Sequence, residues 1–164
     1  MVKAIHEQSL KDISQKLFNF ACSYKAETNQ EVAPVVFLKV SGVSKMIVIP
    51  FTPNSPNQKA EFMWNIGKTL AKQNMIPERV ILISEAYMKR SKNLPKNYKQ
   101  GDLANDPKSD EVIMLQSRDL VGNGYMFTKN IKTGKVQITD CKKDDTTTEG
   151  ITDLIFNPNP QNES

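Results

Sequence analysis

Histidine, cysteine and known catalytic motifs are scarce in this chain of 164 residues, which has one histidine and two cysteines. Zinc hydrolases, deaminases and zinc fingers generally need two or more His or Cys ligands at defined spacing, so these classes are excluded. The sequence also lacks a G-x-x-x-x-G-K-[ST] phosphate loop and a G-x-S-x-G nucleophile elbow. Gly122 and Gly124 form a G-x-G between two predicted strands, which indicates a turn rather than a dinucleotide-binding loop. We therefore predict no cofactor.

Long apolar segments are missing as well. No stretch approaches the roughly 20 apolar residues that span a bilayer, and residues 1–14 lack the uninterrupted apolar region of a signal peptide. A secreted disulfide scaffold usually carries four or more cysteines, so Cys22 and Cys141 are predicted to be separate reduced thiols, although counting leaves a single bridge open. We expect a cytoplasmic protein that does not bind a membrane.

The composition is that of a globular domain, with 38% hydrophobic and 24% charged residues. We predict one domain over residues 1–156 and a disordered tail over 157–164. The net charge of +4 comes from 22 cations and 18 anions, and its excess is local. Five cations without an intervening acid follow the third predicted strand, and we call them the basic cluster: Lys89, Arg90, Lys92, Lys96 and Lys99. Acidic residues come directly afterwards and could neutralise it: Asp102, Asp106, Asp110 and Glu111.

Apolar spacing predicts two helices, over residues 3–24 and 58–74. In the second helix, Trp64 lies at the border of the polar arc and is predicted to anchor the edge of the core. Runs rich in β-branched and aromatic residues predict seven strands, over 35–40, 45–51, 79–90, 110–119, 125–132, 135–141 and 151–156. The first two strands are predicted to form a hairpin that is covered at least partly on both faces. The three strands between residues 110 and 141 are predicted to form a meander. The predicted fold is α+β, with two helices packed on a mostly antiparallel sheet in the order α-β-β-α-β-β-β-β-β.

A candidate polar site follows from strand alternation. Ile81, Ile83, Glu85, Tyr87 and Lys89 share one face, and Val80, Leu82 and Ser84 share the other, which is predicted to be the core side. A simple hairpin would place Lys89 opposite Glu111 as a cross-strand ion pair. Glu85 needs a hydrogen-bond donor if it is buried, and Arg118 is one candidate. The predicted site therefore comprises Glu85, Asp106, Glu111 and Arg118.

The same carboxylates allow a second interpretation, a magnesium site of a hydrolase or nuclease. Glu85, Asp102, Asp106, Asp110 and Glu111 are close in sequence or across a predicted hairpin, with Lys89 alongside, and magnesium accepts oxygen ligands. Their spacing does not match the nuclease pattern of an acidic residue followed on the next strand by acidic-x-Lys. A polar approach to a strand is the favoured explanation, so no metal ligands are predicted.

One pattern resembles an uncharacterised prokaryotic and phage domain family. Ser84-Glu85-Ala86-Tyr87, then a polar loop with Asp106-Pro107, then Glu111 before an apolar strand match the family pattern. Where that pattern usually has arginine, this chain has Ser109, which puts any site that depends on the arginine in doubt. The resemblance covers residues 84–111 only, and it implies a fold rather than an activity.

Missing catalytic motifs and a long polar loop over 91–109 beside the basic cluster favour a non-catalytic interaction domain that binds a macromolecule, most simply a protein. The predicted partner-binding residues are Tyr87, Lys89, Arg90, Lys92, Lys96, Tyr98 and Lys99. The alternative is nucleic-acid binding, in which these cations contact phosphates and the two tyrosines stack on bases. The magnesium-dependent hydrolase is the second alternative.

Overall fold

An antiparallel sheet of six strands is the framework of the part of the chain that the computed structural model describes, residues 9–50, 57–88, 110–141 and 153–156. Only the backbone is defined at residues 57–60, 87–88 and 153–154. The strand order is β2-β1-β3-β4-β5-β6. The strands are β1 (Val35–Val40), β2 (Ile47–Pro50), β3 (Pro77–Met88), β4 (Asp110–Asp119), β5 (Gly124–Asn130) and β6 (Val136–Asp140). The helices are α1 (Leu10–Thr28), α2 (Asn57–Lys72) and the one-turn α3 (Asp153–Phe156).

The predicted α+β class is confirmed. β1 and β2 form the predicted hairpin, and β4, β5 and β6 form the predicted meander. The last element differs, because residues 153–156 form α3 rather than the end of a seventh strand. Ile155 of α3 is 1% exposed and joins the core beneath α2. A short apolar run does not by itself distinguish a strand from a helical turn.

Helix α1 begins at Leu10 because Ser9 caps it. The Ser9 Oγ accepts a hydrogen bond from the Asp12 N–H at 3.1 Å. The helix ends where Asn29 adopts a left-handed conformation with φ 52° and donates its N–H to the Lys25 carbonyl. The observed helix is therefore displaced toward the C-terminus relative to the predicted 3–24, and residues 3–8 lie outside the described ranges.

Both faces of the central strands are buried, so the Val80 side, predicted to be the core side, is one of two core faces. On one face α1 packs over Ile81, Ile83 and Phe127, where the Phe18 and Phe127 rings lie 5.4 Å apart. On the other face α2 and α3 pack over Val80 and other apolar residues of β1 and β3. The run from Val80 to Ile83 is continuously apolar because every residue in it faces a helix-covered layer.

The first hairpin is covered in part on both faces, as predicted, because Met46 packs against the α1-side core and Ile49 against the α2-side core. Val36, Leu38 and Val40 of β1 are buried, but Val48 of β2 is 55% exposed. Cys22, which is half-buried, and Cys141, which is buried, do not form a disulfide with each other. Trp64 is half-buried, and the Lys68 Nζ lies 3.9 Å from its ring centroid. Within the described ranges, every helix is too short or too polar to cross a bilayer.

Candidate functional site: an acidic cleft and an apolar tip

Glu85 is the buried centre of the first candidate site. Its Oε1 lies 2.8 Å from the Lys25 Nζ, and its Oε2 accepts a hydrogen bond from the Val32 N–H at 3.0 Å. The Glu85 side chain is only 7% exposed and that of Lys25 18%. One carboxylate of β3 thus holds both the last turn of α1 and the segment that leads from α1 into β1.

The local sequence explains why these groups meet. Lys25 lies in the last turn of α1, where the helix dipole favours a cation. It also lies four residues after the buried Ala21, so it continues the sheet-facing side of the helix. Glu85 follows the buried run of β3 on the α1 side of the sheet. Burial of either charge alone would be costly, and the ion pair offsets that cost.

An open cleft of about 250 Å³ lies beside this pair and is lined by Lys25, Glu31, Glu85, Ala86 and Glu111. Three carboxylates thus surround one ammonium group. The hydrogen bond to Glu85 raises the pKa of Lys25, with further increases from the charges of Glu85, Glu111 and Glu31, while burial acts in the opposite direction. The cleft has an excess of negative charge and a lysine that stays protonated.

The structure brings together two of the four residues of the predicted polar site. Glu85 and Glu111 line the same cleft, whereas Arg118 lies at the other end of β4. Arg118 pairs with Val80 and faces the α2 side, and its Nη1 donates to the Gly122 and Cys141 carbonyls. The prediction that Arg118 serves Glu85 is therefore wrong, because the two side chains point to opposite faces of the sheet.

The register of β3 and β4 corrects a second prediction. Tyr87, not Lys89, lies opposite Glu111, and Met88 pairs with Asp110. Strand β3 begins at Pro77, two residues before the predicted start at 79, and residues 89–90 of the predicted strand lie outside the described ranges. The basic cluster, Tyr98 and Asp106 lie outside the described residues, and Tyr87 is described by its backbone alone. In sequence, the basic cluster begins directly after Met88, the last described residue of β3.

The magnesium interpretation gains no support from the part of the chain that is described. There, His, Cys, Asp and Glu form no group of three or more that could hold a metal ion. The Glu85 oxygens already contact Lys25 and Val32. Asp102 and Asp106, two other carboxylates considered in that interpretation, lie outside these ranges.

Two residues of the cleft escaped prediction, Lys25 and Glu31. A signal for Lys25 did exist, since a lysine that continues an apolar stripe at the end of a helix implies a buried anionic partner. Glu31 carried no such signal because it lies in an irregular polar segment.

A second candidate surface lies at the opposite end of the sheet. Ile76, Leu120 and Val121 are 53%, 55% and 82% exposed, and we call these three residues the apolar tip. Ile76 precedes β3 and Leu120 follows β4. The Leu120 N–H donates to the Glu78 carbonyl at 2.9 Å, which joins the two segments.

The apolar tip is held in a defined conformation. Asp119 Oδ1 accepts hydrogen bonds from the Val121 and Asn123 N–H groups at 3.1 and 2.8 Å, and its Oδ2 accepts one from the Asn123 side chain. Arg118 adds a bond to the Gly122 carbonyl from the core side. Polar residues normally occupy such turns, so two large apolar side chains on a braced turn need an explanation beyond folding.

Comparison of the chain with protein-family models, curated proteins and solved structures found no match. The resemblance of residues 84–111 to a prokaryotic and phage family therefore stays a prediction.

Proposed function

We propose that this protein is a non-catalytic interaction domain that binds a protein partner, and that the apolar tip is a principal contact. The observation that carries the proposal is the exposure of Leu120 and Val121 on a turn that hydrogen bonds of Asp119 and Arg118 brace. Apolar groups that gather on a surface commonly mark binding sites. A braced turn loses little conformational entropy when it is covered, so its apolar area contributes more fully to affinity.

The role of Glu85 is consistent with this proposal. A carboxylate near the end of a strand, beside two others, is a natural candidate for acid–base or metal chemistry. Here both of its oxygens are engaged in holding α1 and the segment after it. The acidic cleft is thereby assigned a structural role, while binding is assigned to surfaces that folding leaves exposed.

The basic cluster remains a predicted second contact, for an acidic region of the same partner. In sequence it begins directly after Met88, and it shares no residue with the apolar tip. The two surfaces are therefore separable by mutation. Nucleic acid is the competing ligand for the cluster, and a salt-dependent shift of a labelled oligonucleotide would identify it.

The test starts from photo-cross-linking. A photoreactive amino acid replaces Val121, or Lys132 on the distant turn between β5 and β6 as the control, in cells of the source organism. A partner captured from position 121 alone is then purified and its affinity measured. We expect Leu120→Thr with Val121→Thr to weaken binding about tenfold or more, as loss of a central apolar contact does.

The matched control is Val136→Thr with Ile138→Thr, which makes similar exposed apolar-to-polar changes on β6. It should leave the affinity nearly unchanged. Equal losses in both pairs would show that the apolar tip is not the contact. Failure to capture any partner, together with measured turnover of a small substrate, would overturn the proposed function itself.

A further inference from the structure

The Arg118 side chain connects two parts of the fold that are distant in sequence. Arg118 is 5% exposed, and its Nη1 donates to the Gly122 carbonyl at 3.2 Å and to the Cys141 carbonyl. Gly122 belongs to the turn that carries Leu120 and Val121, whereas Cys141 directly follows β6. One buried nitrogen therefore joins the apolar tip to the end of β6.

Gly124 makes room for this connection. It lies opposite Arg118 in the register of β4 and β5, and a Cβ there would lie 2.6 Å from the Arg118 Nη1. The Cys141 carbonyl oxygen would lie 2.7 Å from the same Cβ, and the Cys141 N–H donates to the Gly124 carbonyl at 2.8 Å. Both backbone groups of Cys141 are thus held around Gly124, and a guanidinium packed this closely has few alternative positions.

We infer that Arg118 couples the apolar tip to the end of β6, so that loosening the turn also loosens the backbone at Cys141. The Nη1 group carries two hydrogens in a fixed plane, and the Gly122 and Cys141 carbonyls are two acceptors for them. If Gly122 moves away, the guanidinium loses an acceptor that fixes its direction toward Cys141. Hydrogen bonds from a charged donor are stronger than those between neutral groups, so this loss is transmitted rather than absorbed.

The coupling acts in both directions, because a free energy that links two sites is the same whichever site is perturbed first. Displacement of the chain at Cys141 should therefore loosen the turn that presents Leu120 and Val121. A ligand that holds this turn would in turn make the backbone at Cys141 harder to open. Only this last consequence rests on the proposed function, since the coupling itself is a property of the free chain.

Amide hydrogen exchange of the Cys141 N–H, followed by NMR on the free chain, tests the inference. Asp119→Ala removes the side-chain hydrogen bonds to Val121 and Asn123 that brace the turn, and it leaves Arg118 in place. We expect exchange at Cys141 to become about fivefold faster or more, as for other coupled sites.

The matched control is Asn130→Ala, which loosens the turn between β5 and β6. The Asn130 Oδ1 accepts the Lys132 and Thr133 N–H groups at 2.9 and 3.0 Å, so it braces that turn in the same way. This variant should accelerate exchange at Lys132 and leave exchange at Cys141 unchanged. The Leu115 N–H, in the middle of β4 between two paired strands, reports global unfolding and should exchange equally in both variants.

Arg118→Met shows whether the effect passes through the guanidinium, because methionine is a flexible side chain without a donor. Exchange at Cys141 should be fast in this variant, and adding Asp119→Ala should accelerate it no further. If Arg118→Met does not fold, the two turn variants decide the question alone. Unchanged exchange at Cys141 in Asp119→Ala, equal acceleration there in Asn130→Ala, or a full additional effect in the double variant would each overturn the inference.

Discussion

The Lys25 Nζ lies 2.8 Å from the Glu85 Oε1, so one ion pair joins the C-terminal turn of α1 to the end of β3. Glu85 also accepts the Val32 N–H, and three segments therefore converge on one carboxylate. Both side chains are largely buried, since less than one-fifth of each is exposed. Removal of one member of such a pair leaves the other partly buried without its counter-charge, which costs more than an exposed ion pair contributes.

The ion pair predicts a loss of stability at alkaline pH. The pKa of Lys25 is raised from its ordinary value of 10.5, chiefly by the hydrogen bond to Glu85. A raised folded-state pKa means that the contribution is fully present below the unfolded-state pKa. It is then lost as the pH rises through the folded-state value. We expect the melting temperature to fall above about pH 10 more steeply in the unaltered chain than in Lys25→Arg, whose guanidinium stays charged.

Both chains contain the same tyrosines and other lysines, so the difference between their pH profiles isolates Lys25. Lys25→Met serves as the reference that has no charge at any pH. Its melting temperature should be lower at neutral pH, by the equivalent of about 1–3 kcal/mol. Parallel profiles for the unaltered chain and the Lys25→Arg variant would show that the pair does not contribute to stability.

Substitution by alanine is predicted to affect the free energy of unfolding very differently at two phenylalanines of α1. Phe18 is 2% exposed against Phe127, whereas Phe20 is 75% exposed. Phe18→Ala should lower the free energy of unfolding by about 3–5 kcal/mol, through lost burial and the cavity left behind. Phe20→Ala should change it by about 0.5 kcal/mol or less. Urea denaturation at low protein concentration measures both, and a Phe20 effect as large as that of Phe18 would contradict the orientation of α1.

Local patterns predicted most of the sheet. The β1–β2 hairpin and the β4–β6 meander each join strands that are neighbours in sequence, so apolar alternation and glycine-containing turns were enough to find them. The start of β3 was harder to predict, because the strand begins at Pro77 and a proline usually indicates the end of a regular element. A proline is nevertheless tolerated as the first residue of a strand.

The candidate sites could be predicted from the sequence only in part. Strand parity put Glu85 and Glu111 on one face, which the structure bears out. The true donors to Glu85, Lys25 and Val32, are distant in sequence and reach it only because α1 packs across the sheet. The apolar tip was missed because Leu120 and Val121 were read only as part of the turn after the strand 110–119, and the exposure of apolar side chains on a turn depends on the packing around it.

Gly124 is predicted to be intolerant of even one added methyl group. A Cβ there would lie 2.6 Å from the Arg118 Nη1 and 2.7 Å from the Cys141 carbonyl oxygen. One neighbour is backbone and the other is buried and hydrogen-bonded, so neither yields easily. Gly124→Ala should cost about 1–3 kcal/mol through overpacking.

The same substitution should move the end of β6, where Cys141 follows the strand and donates its N–H to the Gly124 carbonyl. Alkylation of the Cys141 thiol, followed by mass spectrometry, should therefore become faster in Gly124→Ala. Cys22, on α1, is the internal control and should react at its original rate. Unchanged labelling of Cys141 together with unchanged stability would mean that the close approach is relieved without displacement.

The last prediction concerns the basic cluster, whose five cations follow the end of β3 without an intervening acid. Reversal of Lys92, Lys96 and Lys99 to glutamate should leave folding nearly intact. Exposed substitutions typically change the free energy of unfolding by less than about 0.5 kcal/mol each. The same change should abolish binding to an acidic partner, because like charges at the contact slow association and oppose the bound state.

The matched control reverses Lys11, Lys132 and Lys135, which are exposed on α1 and on the β5–β6 turn, and changes the net charge equally. A thermal melt and an affinity measurement on both triple variants separate the outcomes. If the first variant melts far below the control, the cluster serves folding. If both variants fold and bind alike, the partner is recognised elsewhere, and only then would the apolar tip account for recognition without electrostatic help.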